Sequence, residues 1–170
     1  ADREMGAERS DRSRFVAASS AIELARPLRD AFNAVALTAP LDRSLKLKKK
    51  HMEQALQAYG QAADYGVAQV TTAATFETAD LYYQLSRDLL ASERPRDLAA
   101  DESEQYDVLL EEQAFPFEEK AIDLYRVNAE RVADGVYDEW VRASYARLAV
   151  MVPARWSRTE RSEDVITTID

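Results

Sequence analysis

The chain has 170 residues, 46% of them hydrophobic, and carries 31 acidic against 22 basic side chains for a net charge of −9. Only 4 Gly and 5 Pro stand beside abundant Ala, Leu, Glu and Arg, a balance that favours helix over sheet. The lack of cysteine excludes disulfides, thiol catalysis and thiolate metal sites, and no apolar run approaches the roughly 18–20 residues of a membrane span.

The two ends, ADREMGAERSDRSR and SRTERSEDVITTID, are polar. They mark off an N-terminal extension over residues 1–14 and a polar tail over 157–170, leaving one folded unit over 15–156. A start at Ala1 fits either a mature form or a piece of a longer chain. Residues 15–37 place Phe15, Ile22, Leu24, Leu28, Phe32, Val35 and Ala36 at largely helical spacing. Pro27 lies inside that pattern and predicts a kink or a break near Arg26, because proline lacks the backbone donor and crowds the residue before it. Thr38-Ala39-Pro40 ends the element, and Asp42 or Ser44 is expected to cap the next helix.

The stretch over 44–95 organises the rest. It reads as two long amphipathic helices folded back across Tyr65-Gly66. Leu45, Met52, Leu56, Tyr59 and Ala63 share one face of the first helix. Val70, Ala73, Ala74, Leu81, Leu85 and Leu89 share one face of the second, with Tyr82 beside them. Alanines at 55, 58, 62, 63, 73, 74 and 79 are expected at the contact, where small side chains let backbones approach. VTTAAT (70–75) is the one β-looking patch, too short and too embedded to form a strand.

After RPRDLAAD comes a predicted helix over 102–113 with Tyr106, Leu109 and Leu110 inward. Phe115-Pro116-Phe117 is expected to interrupt it. Pro116 followed by Glu118 and Glu119 suits the first turn of a new helix, where proline is tolerated and carboxylates meet the positive end. That helix carries Ala121, Ile122, Leu124, Tyr125, Asn128 and Val132, and ends at Asp134-Gly135. A last helix over 137–152 sets Trp140, Val141, Tyr145, Leu148 and Val152 on one side, and Pro153 stops it. Short joints throughout predict antiparallel neighbours, hence an all-α fold of stacked helical hairpins.

Hairpins with small residues at their crossings suggest tetratricopeptide-type repeats of 34 residues. Taking Pro153 as the repeat's proline puts Tyr125 and Tyr145 at aromatic positions and Ala129 at a small one, while Leu148 mismatches the last small position. The central pair is longer than a standard repeat. The expectation is therefore a tetratricopeptide-like right-handed solenoid with elongated or degenerate repeats.

Little in the sequence points to chemistry. A single histidine, His51, supports neither a Ser-His-Asp arrangement nor the two Glu-x-x-His pairs of a di-iron bundle. Glu111-Glu112 and Glu118-Glu119 are adjacent pairs whose members point about 100° apart on a helix, a poor start for a metal site. Gly6, Gly60, Gly66 and Gly135 lie too far apart to form a phosphate-cradling loop. No catalytic, cofactor-binding or metal-binding residue is assigned, and the expected role is non-enzymatic.

Binding is the remaining class. Residues 101–139 hold 13 acidic and 3 basic side chains, either a solvated face or a docking patch, and this acidity argues against nucleic acid. The one basic cluster, RSLKLKKK from Arg43, sits at a helix start, where cations oppose the dipole. Lys46, Lys48, Lys49 and Lys50 are therefore candidate partner-binding residues for an acidic partner or an anionic polymer, set against the reading of a solvated face. The tyrosines and Trp140 are mostly expected as core fillers, a minority lining a groove. Tyr82 and Tyr83 are adjacent on a helix and cannot point the same way, so one of them is the candidate exposed anchor.

MEQALQAYG (52–60), YGVAQVTTAATFETADLYY (65–83), SERP (92–95), YDVLLEEQAFPFEEKAI (106–122) and YDEWVRASYARLAVMVPARW (137–156) together resemble a terminal helical region of large bacterial tetratricopeptide-repeat proteins. Some of these belong to the cell envelope, including gliding-motility systems of myxobacteria. The resemblance covers most of residues 15–156 and brings no catalytic residues. It implies a scaffold between envelope proteins, in the periplasm or cell envelope, with a protein or peptide as partner. The alternative is a structural spacer or self-associating domain with no groove ligand.

Overall fold

The structure, a computed structural model, describes residues 10–157. Six helices pack together: α1 (Asp11–Asn33), α2 (Leu41–Ala63), α3 (Ala68–Leu90), α4 (Ala100–Glu130), α5 (Glu139–Met151) and a single turn, α6 (Pro153–Trp156). A 3-10 turn, Arg131–Asp134, follows α4. There is no strand among the described residues, and VTTAAT lies wholly within α3. No helix among them is long and apolar enough to cross a membrane.

α1 begins inside the expected extension. The Ser10 hydroxyl accepts the Ser13 N–H at 3.1 Å and starts the helix at Asp11, so the folded unit takes in residues 11–14. Residues 1–9 and 158–170, the remainder of the expected extension and tail, lie outside the described residues.

The interruption expected at Pro116 does not occur, and at Pro27, where a kink or a break is expected, the helix does not break. α1 runs through Pro27 and α4 runs through Pro116 for 31 residues. The reason is placement: both prolines are exposed, and so are Glu23 and Glu112, whose carbonyls each lose a helical donor. Water can satisfy those carbonyls, while the opposite face of each helix keeps its packing. In α4 that face carries Leu110, Ala114, Ala121, Tyr125 and Asn128 at spacings of three, four or seven, one seam across both of the expected helices.

Neither expected cap of α2 acts as one. Pro40 holds the N-cap position, Ser44 donates its hydroxyl back to the Thr38 and Leu41 carbonyls, and Asp42 lies in the first turn. The joints at glycine do occur as expected. Gly66, between α2 and α3, has φ +66°, and Gly135, ending the 3-10 turn, has φ +78°; both are left-handed values that glycine adopts without a Cβ penalty.

α3 is the central helix. It contacts α1, α2, α4 and α5, and no residue from Val70 through Ser86 is exposed. Its stripe of Val70, Ala73, Ala74, Leu81, Leu85 and Leu89 is buried as expected. α2 supplies Met52, Ala55, Tyr59 and Ala62, again with alanines at the closest approaches. α1 contributes a narrower seam than its sequence suggests: Ala18, Ala25 and Phe32 are buried at seven-residue intervals, while Leu24 is 74% exposed and Phe15 is also exposed. Leu24 lies about 100° around the helix from Ala25, off the buried seam.

A buried polar knot joins α3, α4 and α5. The Asn128 amide donates to the Thr72 carbonyl at 3.1 Å and to the Ser144 hydroxyl at 3.0 Å. Asp138 caps α5 by accepting from Trp140 N and Val141 N, and its other oxygen accepts from the Thr72 hydroxyl. This cap starts α5 two residues later than periodicity suggests.

Candidate functional site

α1, α3 and α5 line a groove of about 240 Å³, floored by Tyr59 of α2. Phe15, Ile22, Glu23 and Arg26 come from α1, Val70, Ala73 and Glu77 from α3, and Glu139 and Trp140 from α5. Trp140 is held in place by Phe76, ring centroids 5.4 Å apart, and Phe76 in turn packs on Tyr125 at 5.5 Å.

Within the lining, Glu77 is already paired to a cation behind it and the Tyr59 hydroxyl is poorly paired. Arg29 Nη1 spans both oxygens of Glu77, at 3.0 and 3.2 Å, and the guanidinium also meets Asp30. Burial alone would oppose the charge on Arg29, but Glu77 and Asp30 more than offset it. The Tyr59 hydroxyl is buried beside the Glu77 carboxylate without a well-formed hydrogen bond to it. Burial first, and then the Glu77 carboxylate, push its pKa well above the ordinary tyrosine value, so the phenol stays protonated.

Of the four candidate lysines, Lys48 parts from the other three, which together line one open cavity on α2. Lys48 is 1% exposed. Its ammonium donates to the Phe32 carbonyl at 3.0 Å and the Val35 carbonyl at 2.8 Å, and lies 2.7 Å from Asp88 Oδ2 and 4.2 Å from the Phe32 ring centroid. It is withdrawn from the surface cluster in which the sequence placed it. The cause is register: Lys48 sits at a core position of the same seam as Met52, Ala55, Tyr59 and Ala62. Lys46, Lys49 and Lys50 are exposed, with Lys49 Nζ 5.3 Å from the Phe117 ring centroid.

Tyr82 and Tyr83 are both half-buried, so neither stands out as an exposed anchor. Tyr82 stacks on Phe117, centroids 6.5 Å apart. The Tyr83 ring lies beside two guanidiniums, Arg147 at 5.2 Å and Arg87 at 5.9 Å. Arg147 also donates to Asp80 at 2.7 Å, on the oxygen that accepts the Tyr125 hydroxyl at 3.0 Å. Neither tyrosine nor any candidate lysine lines the groove. The residues that do, above all Tyr59, Glu77 and Trp140, read from sequence as ordinary core and surface positions. Their convergence from α2, α3 and α5 has no local signal. The acidic pairs of α4 do not converge either: no group of three metal-ligating side chains forms among the described residues.

No family model, no curated protein and no solved structure matches this chain.

Proposed function

We propose that this chain is a non-enzymatic protein–protein interaction scaffold that holds an extended segment of a partner protein in the groove between α1, α3 and α5. The observation that carries the reading is the groove floor, where a buried tyrosine hydroxyl lacks a well-formed hydrogen bond beneath a rim of Trp140 and Phe15. A tetratricopeptide-like stack of hairpins, in which the first helix of each hairpin lines one face, fits the contacts of α1 with α3 and of α3 with α5. Following the sequence resemblance, the chain belongs to a larger bacterial tetratricopeptide-repeat protein of a periplasmic or cell-envelope assembly.

Selection of displayed random peptides on the chain tests this, with Gln69→Trp on the exposed rim of the groove as the blocked control. Selected peptides should change Trp140 fluorescence and bind Gln69→Trp at least tenfold more weakly, with helicity unchanged. No selected peptides, or equal binding to the blocked variant, refutes the groove.

A further inference from the structure

Two helices present unused seams of opposite charge. On α2, Arg43, Leu47, Lys50 and Gln54 follow one another at spacings of four, three and four and are all exposed, Leu47 at 48%. On α4, Glu104, Val108, Glu111 and Phe115 repeat the same spacings and are likewise exposed, Val108 at 53% and Phe115 at 57%. Residues so spaced lie along one side of a helix. None of Arg43, Lys50, Glu104 or Glu111 forms an ion pair among the described residues.

We infer that the α2 seam of one copy packs against the α4 seam of a second copy of this chain. Aligned in parallel, the seams set Arg43 against Glu104, Leu47 against Val108 and Lys50 against Glu111. Charge then selects the register and the three apolar side chains supply area. The pairing cannot close within one chain. α2 turns Lys49 toward Phe117 of α4, and Lys50 points about 100° away from it. A second copy is the occupant because one sequence carries both complements at matched spacing, an arrangement that closes into a symmetric pair or propagates as a chain.

Sedimentation equilibrium of the full chain, up to about 1 mM so that weak interfaces register, tests the pairing. The native chain should associate. Arg43→Glu with Lys50→Glu should be monomeric, and so should Glu104→Lys with Glu111→Lys, since each places like charges face to face. An equimolar mixture of the two variants should associate again, because each reversed seam now meets its complement. The milder Arg43→Gln with Lys50→Gln should weaken association at least tenfold, and circular dichroism checks that every variant keeps its helices. A native chain that stays monomeric, including one that instead sediments with phosphatidylserine vesicles, overturns the inference. So does association that survives either reversal, or a mixture that stays monomeric.

Discussion

Lys48 Nζ lies 2.7 Å from Asp88 Oδ2 and donates to two carbonyls at the C-terminal end of α1, so one ammonium fastens α2 to both α1 and α3. Its three donors are fully used, and a cation at a helix C-terminus is favoured by the dipole. Removing it leaves Asp88 and both carbonyls short of a donor. Lys48→Met should cost about 2–4 kcal/mol by urea denaturation, and Lys48→Met with Asp88→Asn less than the sum of the two single changes. A loss under about 0.5 kcal/mol would mean that the ammonium reaches water.

Asn128 is the shared partner of Thr72 in α3 and Ser144 in α5. Asn128→Ala should cost about 1–3 kcal/mol, because two buried groups lose their donor and a cavity opens, offset in part by loss of the buried, unpaired Asn128 Oδ1. Hydrogen exchange should localise the damage, with α5 amides exchanging faster while those of α1 and α2 change little. Equal acceleration in all helices would argue against this role.

Pro116 interrupts the backbone ladder of α4 without ending the helix. Restoring the donor with Pro116→Ala should therefore stabilise the chain by about 1–3 kcal/mol and raise Tm. If a loop separated two helices here, the same change would bring no gain.

Tyr59 and Tyr125 both have pKa values raised by burial above the ordinary value of 10, with Glu77 and Asp80 adding to the shift. The folded state thus favours the neutral phenol more than the unfolded chain does. That contribution is complete below pH 10 and is lost as pH rises beyond it, by about 1.4 kcal/mol per pH unit for each ring. In a spectrophotometric titration, two of the eight tyrosines should ionise only as the helices melt. Full ionisation of all eight with helicity intact would contradict the burial.

The Tyr59 hydroxyl, buried without a well-formed hydrogen bond, gives the opposite sign from most core changes. Tyr59→Phe should leave the free chain as stable or up to about 1 kcal/mol more stable, since the group it removes is buried without a well-formed hydrogen bond. It should also weaken any peptide held in the groove. Destabilisation beyond about 1 kcal/mol would show that the hydroxyl is already satisfied.

By itself the sequence determined the helices, the Gly66 and Gly135 joints and the buried stripe of α3, because periodicity and left-handed glycine positions are local properties. It misplaced the effect of Pro116 and left a break open at Pro27, since the cost of a proline depends on whether the stranded carbonyl faces water, and only packing decides that. It placed Lys48 in a surface cluster with Lys49 and Lys50, because a charged residue at a core position can be recognised only when its partners, the end of α1 and Asp88, are brought to it. The groove was beyond reach for the same reason. Phe15, Tyr59, Glu77 and Trp140 lie far apart along the chain, and only the tertiary structure, by stacking α1, α3 and α5 over α2, makes them neighbours.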